Sequence, residues 1–290
     1  MNLKKDIRKF MQNILVVGKT RVEKAARYVA LNAGHLWRPL VVLKTAQAYN
    51  ISIDKALPYA VGIELVHNAT LILDDLPSMD NSNMRRGQAA CHIKFGVNIA
   101  NLCSHYFIAN SILLATRGPA SEKQKSDILS EVASAAENLI VGQEKDLYDT
   151  NDRQTLEDLL EFYRLKSGSL YGSAAVIGGI LGNAPSDEIN NLRGFGISLG
   201  IAYQIGDDLY DKLGNNQDLG KPTGQDIRKK TPIDLIGIDA AFLLRKVLEE
   251  KAKSNLRKIQ RDFSQLEALI SHISGTFIPK NGSEHRATTG

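Results

Sequence analysis

Apolar residues recur three and four positions apart along most of the chain, as at Leu243, Val247, Ala252, Leu256, Ile259, Phe263 and Leu266. That period gathers side chains on one face of an α-helix. Alternating β-branched runs bounded by turns, the pattern of strands, are nearly absent. Ser121 and Ser186 each precede an acidic residue and then renewed periodicity, which predicts helix N-caps there. The pattern breaks near Gly118-Pro119, residues 182–186 and residues 213–224, with no long Gly/Ser linker and no fixed repeat. The prediction is a single all-α domain of roughly ten helices over residues 1–274, followed by a loosely ordered polar tail at 275–290. Residues 60–73, 102–115 and 195–205 are apolar on nearly every side, so these helices are expected inside an antiparallel bundle.

Composition narrows the function classes. Hydrophobic residues make up 43% and charged residues 23%, enough to bury a core without staples. The net charge is +4 with mixed signs along the chain, and the densest basic run is only Arg228-Lys229-Lys230, so no nucleic-acid partner is expected. The first ten residues are charged and carry no apolar stretch of a signal peptide. The uncharged run from Ser167 to Ser186 is diluted by glycine and serine, which argues against a membrane span. Cys91 and Cys103 lack a zinc-like spacing and fit a reduced, cytoplasmic protein.

Chemistry concentrates at two aspartate clusters. Leu71-Ile72-Leu73 runs into Asp74-Asp75, with Pro77 and Asp80 following. The apolar run 199–205 leads into Gly206-Asp207-Asp208-Leu209-Tyr210-Asp211. Asp207 and Asp211 lie four apart and share a helical face. Asp74 and Asp80 would not share one on an unbroken helix, but Pro77 disfavours helix at Leu76, so the chain can bend and return Asp80. Carboxylates at the ends of buried helices need partners or a metal. An all-oxygen set without thiol or imidazole favours a hard cation, and Mg2+ takes one or two carboxylates plus phosphate oxygens. Arg85-Arg86-Gly87, Lys166 ahead of Ser167-Gly168, and Lys221 after Gly220 add cations suited to an anion.

The run from Asp74 to Gly87 (DDLPSMDNSNMRRG) resembles the first aspartate-rich motif of short-chain trans-isoprenyl diphosphate synthases, and the run from Tyr203 to Asp211 resembles their second. Gly142-Gln143 with Asp146-Leu147, Lys166-Ser167-Gly168, and the loop from Leu219-Gly220-Lys221 to Thr231 resemble their intervening and following motifs. The resemblance implies the isoprenoid synthase bundle with a central cavity, usually a homodimer. It implies a prenyltransferase that joins an allylic diphosphate to isopentenyl diphosphate with three Mg2+ ions. By position, Asp74, Asp80 and Asp207 would ligate Mg2+, with Asp75, Asp208 and Asp211 in support. Arg85, Lys166, Ser167, Gln204 and Lys221 would face the allylic diphosphate, and Arg86, Arg38, His35 and His67 isopentenyl diphosphate.

One segment departs from that family. Where it usually reads GGKRxRP, this chain reads Ala33-Gly34-His35-Leu36-Trp37-Arg38-Pro39, so the lysine is His35 and the following arginine is Leu36. One fixed charge is lost and one becomes titratable near neutrality. If His35 stands in for lysine, use of isopentenyl diphosphate falls as pH rises. The loss favours, as an alternative, a terpene synthase or other prenyltransferase that ionises an allylic diphosphate without isopentenyl diphosphate. Milder changes are Asn81-Ser82-Asn83 after the first motif, Ser104-His105 in place of a Gly-Asp pair, and Pro232 after Thr231. The fifth residue before the first motif is Ala69, where an aromatic commonly closes the cavity. Its small size points to a floor deeper down, at Leu65, Val66, Tyr106 or Phe107, and to a C15–C20 product.

Overall fold

Local chemistry sets where the helices start. Thr20 and Glu23 cap one another's backbone at the head of one helix, and Thr155 with Asp158 and Thr231 with Asp234 do the same at two others. Ser121 behaves as expected, its Oγ accepting from Gln124 N at 3.3 Å. Ser186 does not cap. It is the first helical residue, and the helix opens one position earlier, where the carbonyl of Pro185 accepts from Ile189 N at 2.9 Å.

The computed structural model describes residues 2–15, 18–148, 155–213 and 230–277. Thirteen α-helices and one hairpin lie among them. They are α1 (Leu3–Ile14), α2 (Arg21–Leu31), α3 (Trp37–Ala48), α4 (Ile53–Asp74), β1 (Met84–Arg85), β2 (Gln88–Ala89), α5 (Cys91–Phe95), α6 (Val97–Arg117) and α7 (Glu122–Tyr148). There follow α8 (Leu156–Tyr163), α9 (Ser169–Leu181), α10 (Ser186–Leu213), α11 (Pro232–Ile236), α12 (Ile238–Arg257) and α13 (Ser264–Thr276). A π-helical turn, Arg164–Gly168, joins α8 to α9. The all-α expectation holds.

Helix α4 runs through the interior, with α3, α6 and α9 packed on it, while α10 fills the space between α9 and α12. The stretches 60–73 and 195–205 are largely buried, as their uniform apolarity predicts. The α9–α10 seam is closer than side chains normally allow. A Cβ on Gly200 would stand 2.7 Å from Gly168 Cα, and Gly196 meets the backbone of Tyr171 and Gly172 just as tightly.

Three expectations fail in instructive ways. Helix α6 buries Cys103, Phe107, Ser111 and Ala115 but leaves Leu102, Ile112 and Leu113 exposed, so its apolarity serves two faces and only one is covered by this chain. On α12, Leu243 (63% exposed) and Val247 (55%) point outward. The buried stripe there is Ala241, Arg245, Leu248, Ala252 and Leu256, because Arg245 folds inward to donate to the Ser274 carbonyl at 2.6 Å. The polar tail begins later than its composition suggests: α13 continues through Gly275 and Thr276, and Phe277 is buried edge-on to Tyr203 at 5.1 Å. The rest of that tail lies outside the described residues. Two helices, α4 and α6, are long and apolar enough to cross a membrane by length and composition, and the apolar window of α4 is 78% buried inside the protein.

Candidate active site

The apolar run of α4 carries Asp74 to the helix end, and the chain then turns back on itself. Leu76 N donates to Leu73 O at 3.1 Å, and Asp80 N donates to Asp74 O at 2.9 Å. The bend expected from Pro77 therefore returns Asp80 to Asp74. Burial, reinforced by Asp80 and Asp146 and opposed by Lys166 and Arg85, raises the Asp74 carboxyl to about 6.

Asp75 faces another way. It is buried, and Arg85 grips it through Nη2 and through Nε, which lies 3.0 and 3.1 Å from its two oxygens. Asp75 and Arg85 therefore hold each other, where the resemblance gave one a metal role and the other a diphosphate role. The pair fixes the hairpin beneath the first cluster. Arg86-Gly87 forms the two-residue loop with positive φ at both positions, the geometry that closes a tight hairpin. Tyr28 OH donates to Ala89 O at 2.8 Å and Asn32 Nδ2 to Gln88 Oε1 at 2.6 Å, strapping the hairpin to α2.

The second cluster rides on the last turns of α10. Asp208 accepts from Tyr163 OH and, at 3.3 Å, from Gln204 Nε2. Burial dominates over these bonds, and with Asp207 and Asp211 nearby the carboxyl rises to about 7. Gln204 Oε1 in turn accepts from Ser167 Oγ at 2.9 Å. The neighbouring Lys166 pairs with buried Asp146 of α7 and acts on Asp74. The π-turn makes this possible by letting consecutive residues serve different partners: Lys166 reaches α7 and Ser167 reaches α10. Gly142 admits the backbone of Lys166, where a Cβ would lie 2.9 Å from its nitrogen. Lys221 lies outside the described residues.

Ser167, Gln204 and Asp208 thus form one hydrogen-bonded chain, beside which Lys166 acts on Asp74 and the backbone of Asp80 returns to Asp74. Asp146, on Lys166, and Tyr163, on Asp208, complete the arrangement. In the sequence Asp146 stands out only within the motif of Gly142-Gln143 with Asp146-Leu147, and Tyr163 gives no signal beyond an aromatic hydroxyl three residues before Lys166.

A family model for polyprenyl synthetase matches residues 19–270. The chain belongs to the polyprenyl synthetase family. It is 33% identical to the farnesyl diphosphate synthase of Bacillus subtilis over 76% of this chain and 77% of that one. It is 32% identical to the mitochondrial geranylgeranyl pyrophosphate synthase 10 of Arabidopsis thaliana, over 87% of this chain and 75% of that one. Among solved structures, geranylgeranyl pyrophosphate synthetase from Pyrococcus horikoshii superposes with a TM-score of 0.85 at 28% identity, covering 93% of this chain and 95% of that one.

Against that family background, the segment after α2 is where this polyprenyl synthetase differs. Leu36 takes a left-handed conformation, φ 60°, and is buried, so the position of the usual arginine faces the core. His35 stacks on Trp37 with centroids 5.2 Å apart and planes 2° from parallel. Partial burial, then Lys4, Arg86 and His272, lower its pKa below the ordinary 6.5, so His35 is neutral at pH 7 without a ligand. Arg38 Nη1 lies 3.2 Å from His67 Nε2. Burial, then the charges of Arg38, Arg86 and Arg85, hold that imidazole neutral and leave Nε2 as the acceptor. Arg86 packs its guanidinium on Gly34 and donates to Asn32 O at 2.9 Å and Asn68 Oδ1 at 3.3 Å. Arg38 thus contacts His67, and Arg86 acts on the same imidazole.

Ala69 is buried, and its carbonyl accepts from Ser104 Oγ at 3.1 Å. The serine of the altered Ser104-His105 pair therefore ties α6 to α4 one turn below Asp74. Leu65, Val66 and Phe107 are buried, while Tyr106 is partly so.

Proposed function

We propose that this chain condenses an allylic diphosphate with isopentenyl diphosphate to give a C15–C20 prenyl diphosphate. The observation that carries the reading is that Lys166, acting on Asp74, and its neighbour Ser167, bonded through Gln204 to Asp208, lie between the two acidic helix ends. These groups are preorganised toward charge that grows on a leaving diphosphate. Lys166 and Gln204 bind that group, with Ser167 fixing the Gln204 amide. Arg38, Arg86 and His67 orient the second diphosphate so that its double bond attacks the allylic carbon, and the proton then lost goes to the departed diphosphate. The apolar walls of α4 and α6 keep water from the cation. The names of the relatives favour elongation over the terpene-synthase alternative.

The donor set fits Mg2+. Among the described residues no three carboxylate, imidazole or thiol groups converge on one point. An ion here would be completed by substrate oxygens, which suits Mg2+ and its preference for one or two protein carboxylates. Asp74, Asp80 and Asp207 would hold such ions, three in all, with Asp208 and Asp211 behind them. When bound, Mg2+ stabilises the negative charge of the leaving diphosphate.

The exposed apolar face of α6 (Leu102, Ile112 and Leu113, with Val97 at its start), together with exposed Ile93 of α5, supports a homodimer packed through this face. The free, buried Cys91 and Cys103 support a cytoplasmic setting. The deciding experiment incubates purified protein and Mg2+ with geranyl or farnesyl diphosphate, with and without isopentenyl diphosphate. A prenyl diphosphate lengthened only in its presence is expected. A hydrocarbon formed in its absence would replace this reading with the terpene-synthase one.

A further inference from the structure

The segment that has lost two family cations is covered by a helix that brings two others. Helix α1 lays Arg8 against Gly34, Nη2 donating to its carbonyl at 3.4 Å, while the Arg86 guanidinium packs on the same glycine. One turn earlier, Lys4 Nζ sits 4.2 Å from the centre of the Trp37 ring, on which His35 stacks. The charges of Arg86, Arg38 and Arg8 also act on one buried carboxyl, Glu64, opposing the rise that burial imposes on it. Arg8, Arg86 and Lys4 thus border the Gly34–Trp37 segment together, a group of cations that an anion would balance. Arg38 is 9% exposed, with Nη1 on His67 and its guanidinium over the Tyr171 ring, yet its buried Nε has no hydrogen-bond partner among the described residues.

We propose that α1 completes the isopentenyl diphosphate subsite, with Arg8 binding that diphosphate and Lys4 adding charge beside it, in place of the cations absent at His35 and Leu36. The inference rests on the reading of the chain as an elongating synthase. It explains how a chain with a neutral His35 and an inward Leu36 still neutralises a second diphosphate. It assigns that task to residues that precede the family match, which begins at residue 19.

The test uses the full chain and the variants Arg8→Gln, Lys4→Gln and, as a control on the same helix, exposed Lys9→Gln. Calorimetry in EDTA measures equilibrium binding of isopentenyl diphosphate. Steady-state assays with Mg2+ then give kcat and the KM of each substrate. Losing one charge-assisted contact weakens binding on the order of tenfold. Arg8→Gln should raise both the Kd and the KM for isopentenyl diphosphate by about that factor, and Lys4→Gln by less. The KM for the allylic substrate should stay within about twofold, and Lys9→Gln should resemble wild type. Adding His35→Lys to Arg8→Gln should recover most of the loss, which a helix-docking role for Arg8 would not allow. Unchanged binding in Arg8→Gln, or a loss shared equally by both substrates and not rescued, overturns the proposal. So does a wild type that does not bind isopentenyl diphosphate. A wild type that binds it but makes no longer product fails the elongation reading alone.

Discussion

Replacing Gly200 by alanine tests whether the glycine seam between α9 and α10 sets the site. An added Cβ would meet Gly168 Cα at 2.7 Å, Ser167 O at 2.8 Å and Gly168 N at 3.0 Å. All three are backbone atoms, so no rotamer change relieves the contact. Carbon atoms rest about 3.5–4.0 Å apart, so the helices must part locally by about 1 Å. Overpacking of this kind costs roughly 1–3 kcal/mol, offset by about 1 kcal/mol because alanine suits a helix better than glycine. The net, about 0–2 kcal/mol, lowers Tm by up to roughly 8 °C. The same displacement pulls Ser167 from Gln204, now 2.9 Å apart, and moves Lys166 with it. A shift of about 1 Å at reacting groups costs on the order of a hundredfold in kcat. Thermal melts and steady-state turnover of Gly200→Ala measure both. Gly275→Ala is the counterpart, since nothing lies within 4 Å of its Cβ position and it is helical, so it should keep activity and hold or slightly raise Tm. A Gly200→Ala protein with wild-type Tm and kcat within twofold of normal would refute the argument.

Three further outcomes are expected. Asp74 and Asp208 have folded pKa values of about 6 and 7, above the ordinary 3.8, so the folded protein holds protons that the unfolded chain releases. Their favourable contribution is whole below about pH 4 and is lost as pH rises through those values, so metal-free protein should lose stability, on the order of a few kcal/mol, between pH 5 and 8. Denaturation in EDTA across that range should show the loss, Asp208→Asn should blunt it, and a stability that rises with pH would count against it. Lys166→Ala removes the cation that acts on Asp74 and pairs with Asp146, and should lower kcat about a hundred- to a thousandfold in turnover assays. Leu102→Glu with Ile112→Glu places charge on the exposed face of α6, and light scattering should report a monomer in place of the dimer proposed for the wild type.

What the sequence disclosed and withheld follows the range of the interactions. The return of Asp80 to Asp74 depends on Pro77, a local backbone rule, and it was legible. So was the interior place of α4, because apolarity on every side leaves such a helix nowhere else to go. The partners of Asp75, Asp208 and Lys166 were not, since each comes from another element: Arg85 across a hairpin, Tyr163 from α8 and Asp146 from α7. The outward turn of Leu243 and Val247 was hidden for a related reason. Periodicity names a face of α12 but not which face docks, and the choice fell to the buried Arg245 and its bond across to α13. Glu64 did leave a trace, a charge amid the apolar run of α4 three residues before His67.

The π-turn at Arg164–Gly168 also bears on how the chain tolerates changes in length. Its backbone holds a bond from Ser169 N to Arg164 O, one residue wider than an α-turn, and Ser169 Oγ donates to Leu165 O at 2.7 Å. Deleting Leu165 would let residues 156–181 close into uninterrupted α-turns while α8 and α9 kept their packing, because a π-bulge amounts to one extra residue in an otherwise continuous helix. What would disappear is the ability of adjacent residues to address α7 and α10 at once. A gap of one residue at this point would therefore spare the fold and silence the chemistry, where the same gap in α4 or α10 would rotate a whole buried face out of register.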